Sequence, residues 1–112
     1  MARTTRRQDT GSTPTARRSG KWPEVRKAHL RGHPECAACG GRELLEVHHV
    51  RPFHLFPELE LSEDNLVTLC EGKAHNCHLI FGHSLSWECW NPDVRHDAAA
   101  FRGRVATRRT GR

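Results

Sequence analysis

The chain has no tyrosine, only 6% of its 112 residues are aromatic, and apolar residues of every kind make up 36%. That scarcity excludes a large hydrophobic core. A chain this short forms one domain and buries about two-thirds of its unfolded surface. Cores this small commonly need a disulfide or metal staple. No run of about 18 apolar residues occurs, so no helix is expected to span a membrane. The opening "MARTTRRQDTGSTPTARRSG" lacks the apolar stretch of a secretory signal. It is Arg- and Ser/Thr-rich like a transit peptide, but it has no amphipathic stripe, and Gly11 and Pro14 interrupt it. Without export, cysteines are read as zinc ligands before disulfides.

Acidic residues are nearly missing from both ends. Residues 1–21 hold six Lys/Arg against Asp9 alone, and residues 101–112 hold five Arg and no acid. The stretch between carries seven Lys/Arg against twelve acids, within a net charge of +5. Two basic tails therefore flank a mildly acidic body. Such tails either neutralise nucleic-acid phosphates without reading sequence or serve as solvated termini, and charge alone does not separate the two.

Residues 1–20, made of Thr, Ser, Gly, Pro and Arg, are expected to be a disordered basic tail. A helix is expected at "KWPEVRKAHLRGHP", with Pro23 in its first turn, Trp22, Val25, His29 and Leu30 on one face, and Gly32 and Pro34 ending it. "LLEVHHVRPF" reads as a strand closed by Pro52, and "HLFPELELSEDN" as a polar loop. "LVTLC" reads as a second strand or turn, and "NCHLIFGH" as a short helix. "NPDVRHDAAAFRGRV" reads as a last helix, with Asn91 as N-cap, Pro92 first, and Val94, Ala98, Phe101 and Val105 as its stripe. The ordered domain is placed at 21–104 and a basic C-terminal tail at 105–112.

Cys36 and Cys39 form C-x2-C, and Cys70 and Cys77 form a looser C-x6-C. Four thiolates satisfy tetrahedral Zn²⁺, and Gly40 and Gly41 let the backbone curl behind the first pair. A structural zinc is favoured over disulfides or free thiols; His75, inside the second pair, could replace one sulfur. Cys89, between Trp87 and Trp90, is left over and reads as a buried inert thiol, with both tryptophans read as core.

Two adjacent histidines in a strand, His48 and His49, point to opposite faces, so each needs its own role. C-x2-C, the His-His pair in "LEVHHVRP", "DNLVTLC" and a Cys-His step in "NCHLIFGH" follow one another in order. With that ordered set the sequence resembles the HNH endonuclease family, in its four-cysteine zinc-stapled form, across roughly residues 22–100.

The resemblance implies an α+β fold: a ββα-metal (His-Me finger) core with a structural zinc on Cys36, Cys39, Cys70 and Cys77, and flanking helices. It implies that His48 and His78 bind a catalytic divalent cation (Mg²⁺, Mn²⁺, Ni²⁺ or Zn²⁺) and that His49 is the general base. Asn65, sixteen residues after His49, would brace the loop and hold the base. It assigns the third ligand to His83, five residues after His78, although the family's spacing is four and Gly82 stands there. Arg51 returns to the face of His49 and would contact a phosphate or be solvated.

The chemistry asks for the same residue types. An imidazole with pKa near about 6.5 suits proton abstraction at neutral pH. A divalent ion stabilises charge on the phosphate and the leaving oxygen. The resemblance thus implies hydrolysis of DNA, duplex or nicked, to 5′-phosphate and 3′-hydroxyl ends. The setting would be cytoplasmic, prokaryotic or phage-encoded in style, without a membrane, and specificity would come from the tails, a homodimer or a protein partner. The rival reading is a non-catalytic zinc module that binds nucleic acid, or an HNH fold with impaired catalysis. His29, His33, His54, His75 and His96 are read as non-catalytic, and Glu58, Glu60, Glu63 and Asp64 as a solvated loop.

Overall fold

A computed structural model describes residues 6–7, 18–72 and 75–109, with the side chains of 6–7 and 106–109 excepted. Pro23, which needs no hydrogen-bond partner for its missing N–H, opens helix α1 (Trp22–Gly32). Of its expected apolar face, His29 is the buried member, while Trp22, Val25 and Leu30 are half-buried. Two five-residue strands, β2 (Leu45–His49) and β3 (Leu66–Cys70), pair antiparallel, with Leu45 opposite Cys70 and His49 opposite Leu66. β3 is buried at every position, as a strand covered on both faces must be.

The loop between the strands, expected to be polar, contains two 3-10 turns, Pro57–Leu59 and Glu63–Asn65. Glu60 corrects the expectation of a solvated loop: it is 4% exposed. Its carboxylate accepts the Ser19 N–H and pairs with Arg18, which draws the chain ahead of α1 onto this loop. A short strand β1 (Arg6–Arg7) pairs antiparallel with β4 (Cys89–Trp90). The rest of the expected N-terminal tail up to residue 17 lies outside the described residues.

Helix α2 (Val94–Arg109) begins later than the sequence suggests and runs into the segment expected as a C-terminal tail; residues 110–112 lie outside the described residues. Asn91 does cap its approach, since its Oδ1 accepts the Asp93 N–H at 2.9 Å. Val94 and Ala98 of the expected stripe are buried, and Phe101 packs on Phe81 at 5.2 Å between ring centroids.

The core is small and built largely of sulfur: Cys36, Cys39, Cys70 and Cys77 cluster with Ala38, Val67, Leu69, Val94 and Ala98. No helix is long and apolar enough to cross a membrane, among the described residues. Trp90 is buried as expected, but Trp87 corrects its reading as core: it is 49% exposed, beside His78 and His83. Cys89 is half-buried rather than buried.

Candidate metal centre and cleft

Two clusters of ligand-type side chains draw on the β2–β3 hairpin, one through Cys70 and the other through His48. In the first, the Sγ atoms of Cys36, Cys39, Cys70 and Cys77 all lie within 4.8 Å of one another, and all four residues are buried. The Cys39–Cys70 separation of 3.7 Å fits the edge of a tetrahedron with zinc–sulfur bonds of about 2.3 Å, roughly 3.8 Å. Backbone N–H groups support the knuckle: Cys39 donates to Cys36 Sγ and Gly41 to Cys39 Sγ. Gly40 adopts φ +79° here, and a Cβ on it would lie 2.8 Å from the Arg102 guanidinium carbon. Arg102 in turn donates to the Cys36 carbonyl and to Glu35, fastening α2 to the knuckle.

The packed thiols ionise unequally. Hydrogen bonding from Cys77, helped by backbone N–H groups, brings Cys36 down to about 4. Burial pushes Cys39 up to about 11, and the bond to Cys36 pushes Cys77 up as well. A cation is the natural complement to such a set. His75, the expected substitute for a sulfur, sits outside the four with its Nδ1 3.8 Å from both Cys70 and Cys77 Sγ.

The second cluster is formed by His48, His78 and His83, whose ring centroids are 4.9 to 5.0 Å apart in all three pairs. His48 comes from β2 and is 4% exposed; its neighbour His49 faces the other way and is half-buried, as strand alternation requires. The expected short helix is a π-helical turn, His78–Gly82. Its wider i→i+5 ring brings residues five apart to one face, and so places the His78 and His83 rings together. Gly82 lies against the His48 ring: a Cβ there would be 3.0 Å from it.

Outer partners orient the rings. His78 Nδ1 donates to Glu71 Oε2 at 2.7 Å, and His83 Nδ1 donates to the Cys89 carbonyl at 2.7 Å. Each leaves an Nε2 lone pair for the cluster. His78 Nε2 lies 3.0 Å from His48 Nδ1, near the edge of about 3.3 Å expected for nitrogens on one zinc-sized ion. His48 Nε2 is buried without a hydrogen-bond partner among the described residues. Burial first, then its histidine neighbours, hold His48 well below the usual imidazole range; burial also lowers His83. Neutral imidazoles are the ligating form, so the donor set fits a divalent ion.

On the other face of β2, His49 Nε2 donates to the Glu60 carbonyl at 3.0 Å, and its ring lies 4.6 Å from Trp22. Because a carbonyl only accepts, the proton is on Nε2, and Nδ1 keeps its lone pair. Burial lowers its pKa, and Arg18 adds to this. Asn65 is buried and forms a two-way clasp with Arg51: its Oδ1 accepts the Arg51 N–H at 2.8 Å, and its Nδ2 donates to the Arg51 and Leu59 carbonyls. The Arg51 guanidinium lies over Phe56 and Trp90. A cleft of about 390 Å³ is lined by His48, His49, His78 and His83 together with Arg18 and His54.

Sequence reading missed Arg18, Glu60, Glu71 and Asn91. Arg18 lay in the expected tail, and Glu60 in the expected solvated loop. Glu71 directly follows Cys70, the only cue to its place. Asn91 was read as a cap, yet its Nδ2 also donates to the Phe81 carbonyl and its N–H to that of Gly82, holding the turn that carries His78.

The fold and these clusters define a small α+β chain with two sets of side chains suited to metal. Residues 36–83 match the HNH endonuclease family, so the resemblance drawn from the sequence holds across that segment, which spans both clusters. That family points to nuclease or related nucleic-acid chemistry. No curated protein and no solved structure matches the chain.

Proposed function

We propose that this protein is a metal-dependent DNA endonuclease of ββα-metal type, with Zn²⁺ on the four cysteines and a divalent cation on His48, His78 and His83. The observation that carries this reading is the shared cleft: three imidazoles with converging nitrogens on one side of β2 and a carbonyl-anchored His49 on the other. The rival zinc-only module accounts for the cysteines but gives no reason for that arrangement.

In this reading His49 takes a proton from water at Nδ1 while its Nε2–H stays on the Glu60 carbonyl. The Trp22 ring beside it limits its rotation. Asn65 keeps the chain after His49 in place through Arg51. Arg18, at the cleft wall, offers a phosphate a positive partner, while Arg51 lies over Trp90, which lines the same cleft. A bound divalent ion would polarise the scissile phosphate and stabilise charge on the departing 3′ oxygen. The setting is read as cytoplasmic, where thiols stay reduced for zinc.

Supercoiled plasmid incubated with the protein and Mg²⁺, Mn²⁺ or Ni²⁺ tests this. Nicking is expected, with loss of about 10²-fold or more in His49→Ala. Equal rates for wild type and His49→Ala, on supercoiled and single-stranded DNA alike, sink the reading.

A further inference from the structure

Ligand-type side chains also gather outside both clusters, at the C-terminal end of α1. His29 sits in the last turn of α1 and is 3% exposed, and His33 follows at the helix C-cap. Residues four apart share a helix face, and the two rings stack at 4.5 Å with 26° between their planes. Both point to one carboxylate. Glu63 Oε1 lies 2.6 Å from His29 Nδ1 and 3.5 Å from His33 Nε2. The three ligand atoms all lie within 4.8 Å of one another.

A plain His–Glu hydrogen bond would satisfy His29 alone. It does not explain why the exposed His33 ring is also turned toward the same oxygen. The carboxylate's position is set from behind. Arg95 of α2 donates to the carbonyls of Glu63, Asp64 and Leu66, so the turn bearing Glu63 is fixed relative to the hairpin. In front of the cluster opens a cavity of about 600 Å³, lined also by Asp64, which leaves room for a water or a fourth ligand.

We infer that His29, His33 and Glu63 form a third metal site, which takes a Zn²⁺-type divalent ion. Two imidazoles and one carboxylate suit zinc and its neighbours over Mg²⁺ or Ca²⁺, which prefer all-oxygen shells. The His33–Glu63 separation already fits the roughly 3.3 Å ligand–ligand edge of such a site, and the His29–Glu63 contact has to open by about 0.7 Å to reach it. The site shares no residue with the other two clusters. It ties the C-terminal end of α1 to the Glu63–Asn65 turn, and so to the residue that clasps Arg51.

Equilibrium dialysis of the full chain against Zn²⁺ tests this, with bound equivalents counted for wild type, His33→Ala and Glu63→Gln. His33 and Glu63 are both exposed, so neither change opens the core. Each variant is expected to hold one equivalent fewer than wild type. In wild type the His29 resonances should shift with Zn²⁺, and in both variants they should not. An unchanged count in either variant overturns the site. The readout does not depend on DNA cleavage, so failure of the nuclease reading would leave it standing.

Discussion

The Glu71 carboxylate accepts a hydrogen bond from His78 Nδ1 at 2.7 Å and so aims His78 Nε2 at His48. A carboxylate behind an imidazole fixes its tautomer and makes the far nitrogen a better donor to metal. Glu71→Gln removes that charge at a side chain that is 39% exposed, so the fold is expected to persist. Affinity of the histidine cluster for Ni²⁺ or Zn²⁺ is expected to fall by about 10- to 100-fold. Calorimetric titration, with the cysteine site already loaded, checks it; unchanged affinity would remove Glu71 from any part in the site.

Gly82 is where the spacing anomaly and the packing meet. A Cβ there would press on the buried His48 ring at 3.0 Å. Gly82→Ala is expected to cost about 1–3 kcal/mol of strain. If that strain falls on the ligand geometry, ion affinity drops roughly ten- to hundredfold. The same titration reads it, and a urea melt shows how much of the cost falls on the fold instead.

Much of this architecture was legible in the sequence, and the exceptions have physical causes. Pro23, the alternation through His48 and His49, and the C-x2-C pair with Gly40 each announce a local geometry that later packing does not override. α1 and β2 therefore lie close to where the sequence put them. The π-helical turn was hidden because His78 to His83 fits no α-helical period. Glu60 and Trp87 were misplaced for a shared reason. Sequence pattern ranks a carboxylate as exposed and an indole as buried, whereas here the Ser19 N–H and Arg18 keep the carboxylate inside, and the indole lies edge-on to histidines at the mouth of a cleft. Glu71 and the His29–His33–Glu63 group depend on contacts between residues 7 to 34 apart, which no local motif encodes.

Asn65 carries three hydrogen bonds from one buried amide. Asn65→Ala takes from the Arg51 N–H and the Arg51 and Leu59 carbonyls a partner that is itself 5% exposed. A loss of roughly 2–3 kcal/mol in urea unfolding is expected. In a nicking assay the variant should also lose rate at saturating metal, because the chain beyond His49 is no longer clasped. A stability change below about 0.5 kcal/mol would mean that water replaces the clasp at no cost.

Removal of zinc should do more than silence a site, because the four sulfurs are core atoms. Apolar burial in this chain is meagre, and without a cation the thiols are left ionising against one another: Cys36 falls to about 4 while Cys39 rises to about 11. A strong chelator is expected to abolish cooperative unfolding and much of the helical circular dichroism, with recovery when Zn²⁺ is returned under reducing conditions. Cys39→Ser should behave like the chelated protein even with zinc in excess. Cys89→Ser is the control, since Cys89 lies outside the cluster, and it should keep the wild-type zinc at the cysteines. A chelated protein that melts at the wild-type temperature would mean that Val67, Leu69, Val94 and Ala98 suffice to hold the core, and the zinc reading would then fail.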